Sequence, residues 1–94
     1  MKTYKAKSAI VGRKKGDNPD FKPCFISLFN GNEPHKSGEV PFEVLDFERI
    51  HKVIINGLDV NYLLPGNDLI VNDLESINVD VHGEHIHLSG KQKK

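Results

Sequence analysis

The chain has little of what most chemical mechanisms are built from. Its 94 residues include one cysteine, one methionine, two tyrosines and no tryptophan. A single cysteine, Cys24, forms no internal disulfide and supplies no paired-cysteine zinc site, which suits a reducing compartment. Placed in the run Cys24-Phe-Ile-Ser-Leu-Phe29, it reads as core filler rather than as a reactive thiol. No apolar run comes near the roughly eighteen residues of a membrane-spanning helix. After the basic start, the apolar stretch over residues 8–11 is shorter than the roughly seven residues a secretory signal needs. The expectation is therefore a cytoplasmic protein with no membrane partner. There is no glycine-rich phosphate loop ahead of a helix and no paired-carboxylate motif. Serines are few, and no second cysteine is present from which to assemble a nucleophile with its base. These absences predict a protein that is not an enzyme.

Charge of one sign is also not in excess, since 13 Lys and Arg balance 13 Asp and Glu. The balance hides an uneven distribution. Residues 1–30 carry seven basic residues against two acids, residues 31–90 carry three against eleven, and Lys91, Lys93 and Lys94 follow. The ends are basic and the middle is acidic. Chain ends of single domains often lie close together, which would merge the two basic segments into one patch.

What is present are short β-branched and aromatic runs separated by Gly, Pro, Asn and Asp, with no sustained helical periodicity. This predicts an all-β, or nearly all-β, fold: a small antiparallel barrel or sandwich of six or seven short strands. Residues 1–89 form one domain in this reading, and residues 90–94, with no apolar side chain to bury, form a disordered basic tail. Strands are predicted over 3–11, 23–29 and 40–44, the last at a sheet edge or strand start because Pro41 lacks a ladder donor. Residues 12–20 and 30–38 read as polar loops, and 46–51 as one short helical turn. Asn56-Gly57, between two apolar runs, predicts a hairpin of 52–55 with 58–62. Pro65-Gly66-Asn67-Asp68 is a turn and 69–71 a short strand.

The last hairpin is the most specific feature. A two-residue turn at Gly83-Glu84 pairs His82 with His85, Val81 with Ile86, Asp80 with His87 and Val79 with Leu88. One face then holds Ile77, Val79, Val81, Ile86 and Leu88, and the other Asn78, Asp80, His82, His85, His87 and Ser89. A slip of one residue would mix the two sets, so the pattern specifies its own register.

Three functional readings follow. The first is a non-enzymatic protein-binding module, an inhibitor type that presents acidic residues Glu33, Glu39, Glu43, Asp46 and Glu48 to a basic protein partner. Mobile-element inhibitors are commonly this small, and no cofactor is expected. The second is nucleic-acid binding through Lys5, Lys7, Arg13, Lys14 and Lys15 with the basic tail. The third is a transition-metal site, zinc or a similar ion, on Asp80, His82, His85 and His87, whose imidazoles and carboxylate suit such ions.

Overall fold

The structure, a computed structural model, describes residues 2–13, 22–63 and 68–93. Among these residues nine strands form: β1 (Lys2–Tyr4), β2 (Ser8–Arg13), β3 (Lys22–Phe29), β4 (Glu43–Ile50), β5 (Lys52–Ile55), β6 (Asn61–Leu63), β7 (Asp68–Val71), β8 (Leu74–His82) and β9 (His85–Gln92). One helical turn, α1 (Pro34–Ser37), begins on proline and ends at Gly38, whose left-handed φ of 69° lets its N–H reach the Pro34 carbonyl. The strands form a four-stranded sheet in the order β1-β8-β9-β5 and a five-stranded sheet in the order β4-β3-β2-β7-β6. Neither sheet closes on itself among the described residues.

The chain passes between the sheets four times, and each passage has a local cause. Between β1 and β2, Ala6 is buried while Lys5 and Lys7 stay in solvent, so the crossing is pinned by one small apolar side chain. Between β4 and β5 only His51 intervenes. Just before it, Lys22 pairs with Ile50 but Cys24 with Phe47, a bulge opposite Pro23. Proline has no N–H to give the ladder, and bulged strands bend, which is how a strand turns from one sheet to another. Asp73 adopts a φ of 55°, a conformation aspartate tolerates, at the passage from β7 to β8.

The fourth passage corrects an expectation. Residues 52–55 and 58–62 do not form a hairpin: β5 pairs with β9 and β6 with β7, in different sheets. A type I′ turn needs positive φ at both central residues, and here only Gly57 (71°) has it, not Asn56. Asn56 instead donates to the Leu88 carbonyl (2.9 Å), extending β5 along β9, and Leu58 is buried in the crossing. β5 runs parallel to β9, so the antiparallel expectation holds for every other pair of described strands but not this one.

Other differences follow from side-chain alternation. Residues 46–51 make no helical turn; β4 runs extended to Ile50, because Leu45, Phe47 and Ile50 all reach the core side. The long strand predicted over 3–11 is split between the sheets, and the loop predicted over 30–38 contains α1. The polar end is not loose from residue 90: Gly90, Lys91 and Gln92 pair with Ile77, Ser76 and Leu74. The turn expected at 65–68 lies mostly outside the described residues, as do Phe21 and the loop beyond Arg13.

One core joins inward residues of both sheets. Ala9, Val11, Cys24, Ile26 and Leu28 come from the five-stranded sheet, and Ile77, Val79, Ile86 and Leu88 from the other. Burying each large aliphatic side chain is worth about 1.5–3 kcal/mol. Ser8 is fully buried too, with its hydroxyl donated to the Gly31 carbonyl.

Candidate functional site

The histidine face has the register expected from the sequence, with His82 opposite His85 and Asp80 opposite His87. Gly83 takes a φ of 59°, the conformation its turn position requires. Ile77, Val79, Ile86 and Leu88 are buried on one side, whereas Val81, near the turn, is 44% exposed. On the polar side the groups separate into two sets. The His82 Nε2 lies 2.7 Å from the Asp80 Oδ2, and the His82 ring meets His87 edge-on at 5.2 Å. His85 turns instead toward His51, stacking at 6.2 Å. The hydrogen bond to His82 holds the Asp80 carboxyl below its usual range, helped by the charges of His82, the N-terminus and His87 against a smaller cost of burial. Among the described residues no three His, Cys, Asp or Glu side chains are grouped so as to hold a metal ion. The zinc reading of Asp80, His82, His85 and His87 finds no such group here, because His85 faces His51 while His82 and His87 face each other.

The acidic residues are placed differently. β4 is the terminal strand of the five-stranded sheet and carries Glu43, Asp46 and Glu48, all exposed. Glu39 is instead tied back to the Gly31 N–H (2.8 Å), and Glu33 to Lys36 (3.3 Å) beside α1. The sequence reading missed the apolar surface on this edge. Val40 is 81% exposed, and Phe42 and Val44 each 45%. Phe42 donates to the Leu28 carbonyl (2.9 Å), so strand-like pairing continues ahead of β4. On the inner side, a cavity of about 290 Å³ opens between the sheets, lined by Tyr4, Leu45, Phe47, Val79 and Val81 with Lys2. The signal for this edge was in the alternation of Val40, Phe42 and Val44 around Pro41, which marks an edge strand apolar on its outer face.

The chain matches no family model, no curated protein and no solved structure.

The basic residues also divide. Lys5 and Lys7 join Lys93 around one cavity, so the two basic segments do meet. Arg13 ends β2 away from the β1–β2 crossing, and Lys14 and Lys15 lie outside the described residues. Among the described residues no helix is long and apolar enough to cross a membrane.

Proposed function

We propose that this protein is a non-enzymatic binding module of the cytoplasm, a small β-sandwich that docks an extended basic segment of a protein partner along β4. One observation carries the reading: β4 and the segment just ahead of it combine Glu43, Asp46 and Glu48 with exposed Val40, Phe42 and Val44, next to an apolar cavity. A terminal strand offers unpaired main-chain groups to any added strand, and natural proteins guard such edges. Acidic side chains guard this one against a second copy of itself, because like charges directly opposite are destabilising. The same acids favour lysine or arginine on an incoming strand, so one feature rejects self-pairing and admits a basic partner. Strand addition supplies main-chain hydrogen bonds, and alternate side chains supply selectivity. Here inward side chains of the partner would enter the cavity beside Leu45 and Phe47, and outward ones would lie on Phe42 and Val44. Arg49, the one base on β4, lies 3.7 Å from Glu84, and three acids against one base keep the strand negative.

The test is to titrate the protein with an extended peptide alternating lysine and valine, with a glutamate–valine peptide as control, while following amide hydrogen exchange. The reading expects the basic peptide to protect β4 amides, the effect to weaken with salt, and F42D to abolish it. Protection elsewhere, or equal response to the acidic peptide, would overturn it.

A further inference from the structure

We propose that the cavity where the β1–β2 crossing meets the end of β9 is an anion site that takes the phosphate groups of a polyanion. It lies apart from the β4 edge and rests on different residues. Its volume is about 450 Å³, and Lys5, Lys7, Lys93, Asn30 and Glu75 surround it over Leu74.

The lysines converge because the main chain holds them there. Lys5 and Lys7 flank buried Ala6 and both line the cavity. Lys7 is fixed at both its main-chain groups: its N–H donates to the Phe29 carbonyl (2.9 Å), and its carbonyl accepts from Leu74 (2.8 Å). The main-chain N–H of Lys93 donates to the Asp73 carbonyl (2.6 Å), which keeps the residue after β9 against the same corner. Among the described residues the lining thus carries three lysines and one carboxylate, that of Glu75, in a chain of zero net charge.

The lining identifies the ligand class. Lysine is a compact point charge with three donors, suited to phosphate oxygens rather than to planar recognition of one carboxylate. Asn30 adds a neutral amide, and buried Leu74 forms the floor. Among the described residues the lining carries no aromatic side chain and reads charge rather than a base face. The ligand is a chain of phosphates: a short polyphosphate, or the backbone of a nucleic acid.

The experiment titrates the full chain with inorganic tripolyphosphate and, separately, with a single-stranded oligothymidine, by calorimetry at about 50 mM and about 200 mM salt. The comparison variants are the triple K5Q/K7Q/K93Q and the control pair K36Q/K52Q. These side chains are all exposed, and a thermal melt of each variant verifies folding. The expected result is binding of tripolyphosphate that the triple variant weakens by roughly tenfold or more and the control pair leaves unchanged, with a shallower salt dependence in the triple variant. Amide shifts in an NMR titration should fall on Ala6, Asn30 and Leu74. Tripolyphosphate that displaces the oligothymidine assigns the site to a nucleic-acid backbone. Binding of tripolyphosphate alone assigns it to a small phosphate ligand. No binding of either probe, or equal binding by the triple variant, overturns the proposal.

Discussion

Replacing Gly90 by alanine should unfold this protein more readily than any other single methyl group added at a glycine of its hairpin. A Cβ built on Gly90 lies 2.3 Å from the Ser76 carbonyl oxygen, 3.0 Å from the Ile77 Cα and 3.2 Å from the Ser76 carbonyl carbon. Favourable contact between such atoms lies at about 3.5–4.0 Å, so the nearest overlap is about 1 Å. All three atoms are main chain in the strand opposite, beside the irregularity between Leu74 and Ser76, and no rotamer change relieves them. Separating β8 from β9 locally costs about 1–3 kcal/mol in overpacking, plus about 1 kcal/mol for a lost ladder bond. The gain from a less flexible unfolded chain is smaller, about 0.4–1 kcal/mol. The net expectation is about 2–3 kcal/mol, a large fraction of the roughly 5–15 kcal/mol that a small domain possesses. Gly83→Ala is the control. Its φ is 59°, but nothing lies within 4 Å of the added carbon, so only backbone strain of about 1–2 kcal/mol applies, and Gly83→Asn should recover part of it. Urea unfolding followed by circular dichroism reads both as shifts of midpoint at constant slope. A Gly90→Ala midpoint at or above that of Gly83→Ala would refute the close approach of the two strands.

Two further outcomes test the same hairpin. Ile86→Ala removes a side chain with no exposed surface and should cost about 2–5 kcal/mol, whereas Val81→Ala, on its pairing partner, should cost under about 1 kcal/mol because Val81 is 44% exposed; equal midpoints in guanidinium would show that the core does not taper toward the turn. Asp80 is held below the ordinary carboxylate range, so the stability it contributes is present above about pH 4 and lost as pH falls through its lower folded value. The melting temperatures of the wild-type protein and Asp80→Asn should therefore converge below about pH 4, and a gap that widens toward acid would contradict the assigned sign.

The final hairpin was legible in the sequence down to its register because every cue agreed. Gly83 suits the turn, and a period of two separates Ile77, Val79, Ile86 and Leu88 from Asp80, His82 and His87. β3 was legible as a central strand for a similar reason, its apolar run being flanked on both sides. Asn56-Gly57 misled because a turn dipeptide reports only local φ preference. The partner of residues 52–55 was decided 33 residues away, where β9 had an open edge and Val53 and Ile55 had a core to join. Residues 46–51 misled because Glu48 and Arg49 interrupt the alternation at the bulge opposite Pro23. As for the candidate sites, the acids of β4 were visible but the apolar edge beside them was not singled out. The meeting of Lys5 and Lys7 with Lys93 depended on chain ends whose approach sequence alone does not specify.

The order of the four-stranded sheet also bears on how quickly the molecule assembles. Its two central strands, β8 and β9, come late in the chain, while its edges are β1 and β5. Thr3 hydrogen-bonds Asn78 across 75 residues of sequence, a closure costing about 4 kcal/mol of chain entropy before any contact repays it. The β8–β9 hairpin closes over two residues and carries no such burden. A template forms first at one end of the sequence, and β1 and β5 must wait for it before either has a partner. Folding should accordingly fall in the millisecond-to-second range of non-local β proteins, with the N-terminal segments the last to gain protection.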